Sequence, residues 1–238
     1  MAATRVLVAG GSEGIGRAIA LALAARGHEV WVAARRTEPL EAVISEIRAA
    51  GGAVEGRSVD LVDDAARAGL VEEILAGDAG LDVLVHSNGT IARGDISDAA
   101  LDDFDLQYAA NVRAPYALTQ ALLPGLIRSR GQVVFVNSSA GLIPSANASQ
   151  YGATMHALRA VASVLRDEVN AAGVRVTSIY PGRTATPRQA RIHEWEGKEY
   201  RPERLLQPED VAAIVVAALE LPRTAEVTDI TIRSMAKP

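Results

Sequence analysis

The chain has 238 residues, of which 49% are apolar and 4% aromatic, and its formal net charge is −5. This length suits a single α/β domain, and the acidic balance argues against binding to nucleic acid or to anionic membranes. The absence of cysteine excludes disulfides, thiol nucleophiles and cysteine-ligated metals, and we expect no metal site.

Short apolar runs alternate with amphipathic or Ala-rich segments along the chain. The predicted strands are Arg5–Ala9, Glu29–Ala34, Ala53–Val59, Asp82–His86, Gln132–Asn137, Val174–Tyr180 and Asp229–Arg233. The predicted helices are Ile15–Arg26, Pro39–Ala50, Asp63–Ala76, Asp98–Leu123, Ser149–Ala171 and Pro208–Leu221. This spacing indicates βαβ units, and we predict one domain, residues 1–238, with a doubly wound, Rossmann-type α/β fold. It has a seven-stranded parallel sheet with helices on both faces.

A glycine-rich turn, Gly10-Gly11-Ser12-Glu13-Gly14-Ile15-Gly16, follows the first strand and opens the first helix. Glycines let backbone N–H groups approach a diphosphate, and the helix N-terminus adds partial positive charge. We therefore predict that Gly10, Ser12, Glu13, Gly14, Ile15 and Gly16 bind a dinucleotide. The alternative is an ordinary strand-to-helix turn.

Three polar residues later in the chain suggest a catalytic frame. Tyr151 opens the sequence Tyr151-Gly152-Ala153-Thr154-Met155, Ser138 lies thirteen residues upstream of it, and Asn111 precedes both. With the spacing of Gly10, Gly14 and Gly16, these residues resemble the short-chain dehydrogenase/reductase family. The resemblance implies that Ser138, Tyr151 and Asn111 are catalytic, with Tyr151 exchanging a proton with the substrate and Ser138 orienting its carbonyl oxygen. The alternative is a strand-end serine and a helix-entry tyrosine without chemistry.

Met155 departs from the family, which has a lysine four residues after the tyrosine. Residues four apart share a helix face, and a cation that close lowers the pKa of a neighbouring acid by roughly 1–3 units. The family lysine also binds the nicotinamide ribose, and the residue aligned with Asn111 links it through water to solvent. Met155 provides none of these functions. The two lysines of the chain, Lys198 and Lys237, lie far away in sequence.

Other residues at strand ends complete the predicted cofactor site. No acid precedes Glu38 after the second strand, whereas Arg35 and Arg36 suit a 2′-phosphate, which favours NADP(H) over NAD(H). These two arginines are alternatively solvated charges at a strand end. The resemblance adds adenine contacts from Asp60 and Leu61, cofactor contacts from Asn88, Gly89 and Tyr151, and nicotinamide contacts from Pro181, Gly182, Thr184 and Thr186. Asp60 is alternatively a helix cap, and Pro181-Gly182 a plain turn. His86 replaces an asparagine of the family, and a buried structural role is favoured.

The segment Arg183–Leu206 has no regular pattern, and segments of this length are usually functional. We expect it to cover the substrate as a lid, with Trp195 and Tyr200 either lining the pocket or packing on the domain. It carries six basic residues against four glutamates, which hints at an anionic substrate; the alternative is a solvated charged loop.

The sequence thus predicts a dinucleotide-binding catalytic domain that acts as an NADP(H)-dependent oxidoreductase on a small alcohol or carbonyl compound. The alternative is a cofactor-binding protein without redox activity, such as a sensor, a partner subunit, or a cofactor-templated cyclase or isomerase. The resemblance further implies a homodimer or homotetramer formed through the two long helices. No signal-peptide pattern and no membrane-spanning apolar run is apparent, so we expect a cytoplasmic protein.

Overall fold

A computed structural model describes residues 4–76 and 80–236. Seven parallel strands form one sheet in the order β3-β2-β1-β4-β5-β6-β7, which confirms the predicted fold class. The strands are β1 Arg5–Ala9, β2 Glu29–Ala34, β3 Val54–Ser58, β4 Val83–His86, β5 Gln132–Val136, β6 Arg175–Pro181 and β7 Asp229–Ile232. The α-helices are α1 Gly14–Ala24, α2 Thr37–Ala49, α3 Asp64–Leu75, α4 Leu101–Tyr108, α5 Ala114–Ser129, α6 Ser149–Val169, α7 Pro187–Trp195 and α8 Pro208–Glu220.

Two apolar layers enclose the sheet. Side chains of α1, α2 and α8 pack on one face, where Ile19, Val43 and Val215 are buried. Side chains of α3, α5 and α6 pack on the other, around Leu118 and Phe135. Because both faces are covered, the central strands are apolar along their length rather than alternating.

The order of the strands reverses beside β1, which pairs with β2 on one side and β4 on the other. At such a reversal the loops that leave neighbouring strands diverge to opposite faces and open a crevice at the carboxyl edge. The glycine-rich turn leaves β1 at this edge, and the loop after β4 leaves it next to that turn.

Apart from small shifts at the ends of several elements, two predicted segments differ from the structure. Asp98–Leu123 is not one continuous helix, because a π-helical turn, Ala109–Arg113, separates α4 from α5. The prediction that Arg183–Leu206 is irregular throughout was wrong, because it contains α7. The Thr186 hydroxyl accepts a hydrogen bond from the Gln189 amide, and Pro187 occupies the first turn, so the helix is set by its capping residues.

Within residues 4–76 and 80–236, no helix combines the length and the apolar character needed to cross a bilayer.

Candidate functional site

The glycine-rich turn is pressed closely against its neighbours. Gly10 has φ +82°, and a Cβ there would lie 2.6 Å from the Asn88 backbone nitrogen. A Cβ on Gly16 would collide with the Gly10 carbonyl oxygen. Helix α1 starts at this turn without a side-chain cap and without an acidic residue in its first turn, so its first N–H groups stay available to an anion. The turn therefore fits a diphosphate, with Ser12 and Ile15 beside these N–H groups.

Arg35 and Arg36 follow β2 but have different partners. Arg36 forms an ion pair with Glu13 of the glycine-rich turn. Arg35 is exposed, and its guanidinium makes no hydrogen bond or ion pair with any described residue. Of these two arginines, only Arg35 can bind a phosphate without first breaking an ion pair with a carboxylate.

The segment after β3 is held by local hydrogen bonds. The Asp60 carboxylate accepts from the Val62 amide at 3.0 Å, while Leu61 is buried. Asp63, rather than Asp60, caps α3 by accepting from the Ala66 amide. The alternative role of Asp60 as the helix cap was therefore wrong, and its carboxylate stays at the exposed carboxyl edge of the sheet.

His86 ends β4 inside the core. Its Nε2 lies 2.8 Å from the Thr119 hydroxyl, and its ring stacks on Phe135 at 4.9 Å between centroids. Burial lowers the His86 pKa from the usual 6.5 to about 3, because the imidazolium is disfavoured away from water; the Asn88 side chain opposes this shift. His86 is thus a neutral histidine in a structural position.

The loop after β4 is joined to the π-helical turn. The Asn88 side chain donates to the Ala110 carbonyl at 3.1 Å. Asn111 accepts from the Thr90 amide at 2.7 Å and donates to the Thr90 carbonyl at 2.9 Å and to the Thr154 hydroxyl at 3.0 Å. Both amide hydrogens of Asn111 are therefore engaged. A π-turn inside a helix often marks a functional position, and here it aligns Asn111 with Gly89 and with α6.

Ser138 and Tyr151 lie on segments that Asn137 connects. Its side-chain oxygen accepts from the Ser138 amide at 2.7 Å, and its side-chain nitrogen donates to the Met155 carbonyl at 3.1 Å. The Ser138 hydroxyl accepts from the Ala140 amide at 3.2 Å, which orders the turn after β5. Asn137 thereby fixes the strand end that carries Ser138 against the first turns of α6.

Tyr151 and Met155 occupy successive turns of α6. Tyr151 is half-buried against the same apolar cluster that contains Met155. Its phenolic hydroxyl makes no hydrogen bond within the described part of the chain. Met155 is only 5% exposed. The next polar groups on the helix do not replace a cation, because His156 bonds to the Gly152 carbonyl and Arg159 is exposed.

The segment after β6 lies against the glycine-rich turn. Pro181 ends β6, the Gly182 amide bonds to Ile232, and the buried Thr184 hydroxyl donates to the Gly182 carbonyl at 3.1 Å. Thr186 approaches the glycine-rich turn so closely that its methyl group would lie 2.9 Å from a Cβ on Gly14. The predicted cofactor residues of both segments thus meet at one edge of the sheet.

The segment 183–206 is tied to the loop after β4. Arg188 on α7 donates to the Gly89 carbonyl at 2.7 Å, and Arg93 forms an ion pair with Glu196. A cavity of about 960 Å³ lies between the two segments, with Trp195 and Asn147 in its wall. Tyr200 instead packs edge-on against His193. Lys198 pairs with Glu196, and Lys237 lies outside the described residues.

Sequence reasoning missed several residues of this site. Asn137, Thr154, Arg93 and Glu196 make contacts between segments far apart in the chain. A usable signal existed only for Asn137, which immediately precedes Ser138 at a strand end. The start of α7 could also have been predicted from the sequence, since Thr186-Pro187 is a common pair at the beginning of a helix.

Comparison with known proteins identifies the family. The sequence profile of the short chain dehydrogenases matches residues 4–197, so the chain belongs to the short-chain dehydrogenase/reductase family. An uncharacterised short-chain type dehydrogenase/reductase of Sinorhizobium fredii is 36% identical over 227 residues, covering 93% of this chain and 88% of that protein. Actinorhodin polyketide ketoreductase solved with NADPH superposes with a TM-score of 0.89 at 26% identity, over 97% of this chain and 95% of that one. A metagenomic short-chain oxidoreductase in complex with NADP gives a TM-score of 0.85 at 29% identity, over 98% of each chain.

Proposed function

We propose that this protein is an NADP(H)-dependent oxidoreductase that transfers hydride between the nicotinamide and a small alcohol or carbonyl substrate. One observation carries the proposal: Asn137 joins the strand end bearing Ser138 to the helix bearing Tyr151, at the same sheet edge as the glycine-rich turn. The NADPH and NADP bound to the similar ketoreductase and oxidoreductase support the cofactor assignment.

The dinucleotide would be held by the N-terminus of α1 at its diphosphate, by Arg35 at its 2′-phosphate, and by the segments 60–61, 88–89 and 181–186 along its length. When bound, NADPH supplies the hydride. The preference for NADPH over NADH rests on Arg35, whose planar guanidinium matches a phosphate and has no competing carboxylate.

Tyr151 and Ser138 act on the substrate oxygen. The half-buried phenol donates a proton to the oxygen as negative charge develops there, and the Ser138 hydroxyl orients the same oxygen by a hydrogen bond. Asn111 keeps the loop after β4 and α6 in register through Thr90 and Thr154. Thr186 and Arg188 hold the lid, residues 183–206, over the crevice and limit the access of water.

The replacement of the family lysine by Met155 sets the pH range of this chemistry. Met155 puts no cation one helical turn from Tyr151, so no charge at that position stabilises the phenolate that alcohol oxidation would use as its base. The same residue favours a second candidate function, a cofactor-binding protein without redox turnover. In that case the buried Met155 side chain serves packing alone.

Introducing the lysine separates the two functions. We expect Met155→Lys to raise carbonyl reduction at neutral pH about tenfold or more, and to lower the pH midpoint of alcohol oxidation by roughly 1–3 units. Met155→Gln is the matched control, because it has similar length and polarity but no charge. Steady-state rates on a carbonyl panel across pH, with NADPH binding followed by nicotinamide fluorescence, measure both effects. Unchanged rates in a variant that still binds NADPH would support the non-redox function.

We also propose that the protein works as a homodimer or homotetramer on small-molecule substrates. Tyr116 on α5 and Val164 on α6 leave about half of their surface exposed, which suits burial against a second copy.

A further inference from the structure

Glu196 is the centre of an unbalanced group of charges. Its carboxylate is paired with Arg93, with Arg183 at 2.7 Å and with Lys198 at 3.1 Å. Its side chain is only 12% exposed. Hydrogen bonds from Arg183 lower the Glu196 pKa to about 2, so the group stays a carboxylate at neutral pH. Three cations thus surround one anion, and two positive charges of this group are left without a partner carboxylate.

A cavity of about 360 Å³ adjoins this group within the lid. Its wall contains four cationic side chains, one histidine and a single glutamate, namely Arg183, Lys198, Arg201, Arg204, His193 and Glu199. Glu199 pairs with Arg201, so it does not offset the excess charge at Glu196. The larger cavity nearby has a different wall, which contains two cationic side chains, Arg93 and Lys198, and two carboxylates, Asp103 and Glu196.

His193 adds a fixed polar group to the small cavity. The residue is 5% exposed, its Nδ1 lies 2.8 Å from the Gln189 carbonyl, and Tyr200 packs on its ring at 5.4 Å. Nδ1 also lies 3.2 Å from the Gln189 side-chain nitrogen, so two groups of Gln189 hold the ring in place. A ring that carries a proton on Nε2 can donate it to an oxyanion in the cavity.

We propose that this cavity binds a compact oxyanion group, a carboxylate or a phosphate. The Arg183 side chain is 30% exposed and interacts more strongly with an anion than a fully exposed cation would, because water screens it less. Lys198, Arg201 and Arg204 are exposed and add positive charge to the same wall. Arginine donors also match the planar or forked oxygens of both groups. The oxyanion is either a group of the substrate or a separate small molecule. Its binding does not depend on the proposed hydride transfer.

Titration of the full-length protein with inorganic phosphate at constant ionic strength tests the site. Trp195, next to Glu196 and 54% exposed, provides the fluorescence signal. We expect saturable binding, and we expect Arg201→Gln to weaken it about tenfold or more. Arg201 is half-exposed and pairs with exposed Glu199, so the variant should retain the fold, which circular dichroism checks. Arg191→Gln removes an exposed lid arginine that does not line the cavity, and we expect it to bind phosphate like the wild type.

A second variant changes the affinity in the opposite direction. Glu196→Gln removes the carboxylate that partly neutralises Arg183 and Lys198, and should tighten phosphate binding. A merely structural role of Glu196 predicts weaker binding or none. Absence of saturable binding in the wild type, or equal loss in Arg201→Gln and Arg191→Gln, overturns the proposal.

A kinetic experiment identifies whether the oxyanion is part of the substrate or a separate molecule. A keto acid and its methyl ester are compared as substrates with and without phosphate. If the site holds a substrate group, the acid has the lower KM and phosphate competes with the acid alone. If it holds a separate molecule, phosphate changes both reactions alike. The fluorescence titration decides whether the oxyanion site exists even if no carbonyl compound is reduced. Failure of the proposed oxidoreductase function can therefore be distinguished from failure of the oxyanion-site proposal.

Discussion

Arg35 and Arg36 illustrate at the residue scale how neighbours in sequence differ in role. Arg36 is neutralised by Glu13, whereas the Arg35 side chain is exposed and its guanidinium has no partner among the described residues. A 2′-phosphate contact should therefore come mainly from Arg35. Sequence alone favours a phosphate at this strand end, but the assignment to one arginine depends on the position of Glu13, 22 residues away from Arg35.

We predict that Arg35→Gln weakens NADPH binding by about 10–100-fold, the range expected for loss of charged hydrogen bonds. NADH binding should change little, since NADH has no phosphate at that position. Arg36→Gln is the control, and should have a smaller effect because its charge is already offset. Fluorescence titration with both nucleotides measures the ratio. Equal weakening for NADPH and NADH would contradict the assignment of Arg35.

At the scale of elements, the turn between β1 and α1 combines two demands on Gly10. One is its left-handed backbone and the other is the close approach of the Asn88 backbone. Gly27, after α1, has nearly the same φ, +81°, but a Cβ there would have no atom within 4 Å. Comparing a substitution at Gly10 with one at Gly27 therefore separates the cost of backbone strain from the cost of steric contact.

We predict that Gly27→Ala costs about 1 kcal/mol of the free energy of unfolding, from the left-handed conformation alone. Gly10→Ala should cost several times more, because backbone atoms of the turn and of the loop after β4 must move apart, and NADPH binding should be lost. Urea unfolding and nucleotide titration of both variants check this. Similar costs for the two would mean that the turn adapts easily and that its close contact is unimportant.

Asn137 makes the corresponding connection on the other side of the crevice. Asn137→Ala leaves the Met155 carbonyl without its side-chain donor in a buried place, which should cost about 1–3 kcal/mol of stability. Ser138 loses its anchor as well, so kcat should fall more than NADPH affinity. Ser139→Ala is the control, since Ser139 is exposed and adjacent. A variant with normal kcat would show that Asn137 does not position Ser138.

For the whole molecule, the sequence predicts those features that depend on local patterns. The strands β1 and β2 begin and end where predicted, because each is an apolar run bounded by a turn. The π-helical turn and α7 were missed. The former depends on contacts of Asn88 and Asn111 across the fold, and the latter has a strong cap but little apolar periodicity.

In the candidate site, too, the features that depend on local patterns could be predicted and those that depend on contacts across the fold could not. The glycine spacing and the interval between Ser138 and Tyr151 are local signals, and the structure brings the two segments to one sheet edge. The Arg93–Glu196 pair joins residues 103 positions apart. No local pattern encodes such a pair, because it depends on how the segment 183–206 packs against the loop after β4.

The burial of His86 affects the stability of the whole domain as the pH falls. In the unfolded chain the imidazole titrates near its usual 6.5, whereas the folded domain keeps it neutral down to about pH 3. Below about pH 6.5 the unfolded state therefore binds one proton more, and the free energy of unfolding decreases by up to about 1.4 kcal/mol per pH unit. Above pH 6.5 this contribution to pH dependence vanishes. His28, whose pKa is also lowered by burial, acts in the same direction, so the comparison must isolate His86.

We predict that His86→Asn removes this part of the acid sensitivity. Asparagine can still bond to Thr119 but does not titrate, so between about pH 6 and about pH 4 the wild type should lose about 2 kcal/mol more stability than the variant. Urea unfolding of both proteins across this range measures the difference in stability. The contributions of His28, Glu196 and every other titratable group that the two proteins share cancel in this comparison. Parallel curves would mean that the His86 ring gains a proton within the folded core, as happens if its second nitrogen, Nδ1, finds an acceptor there. Burial argues against that outcome, because it disfavours the charged ring more than the Asn88 side chain favours it, so the folded state rejects the proton.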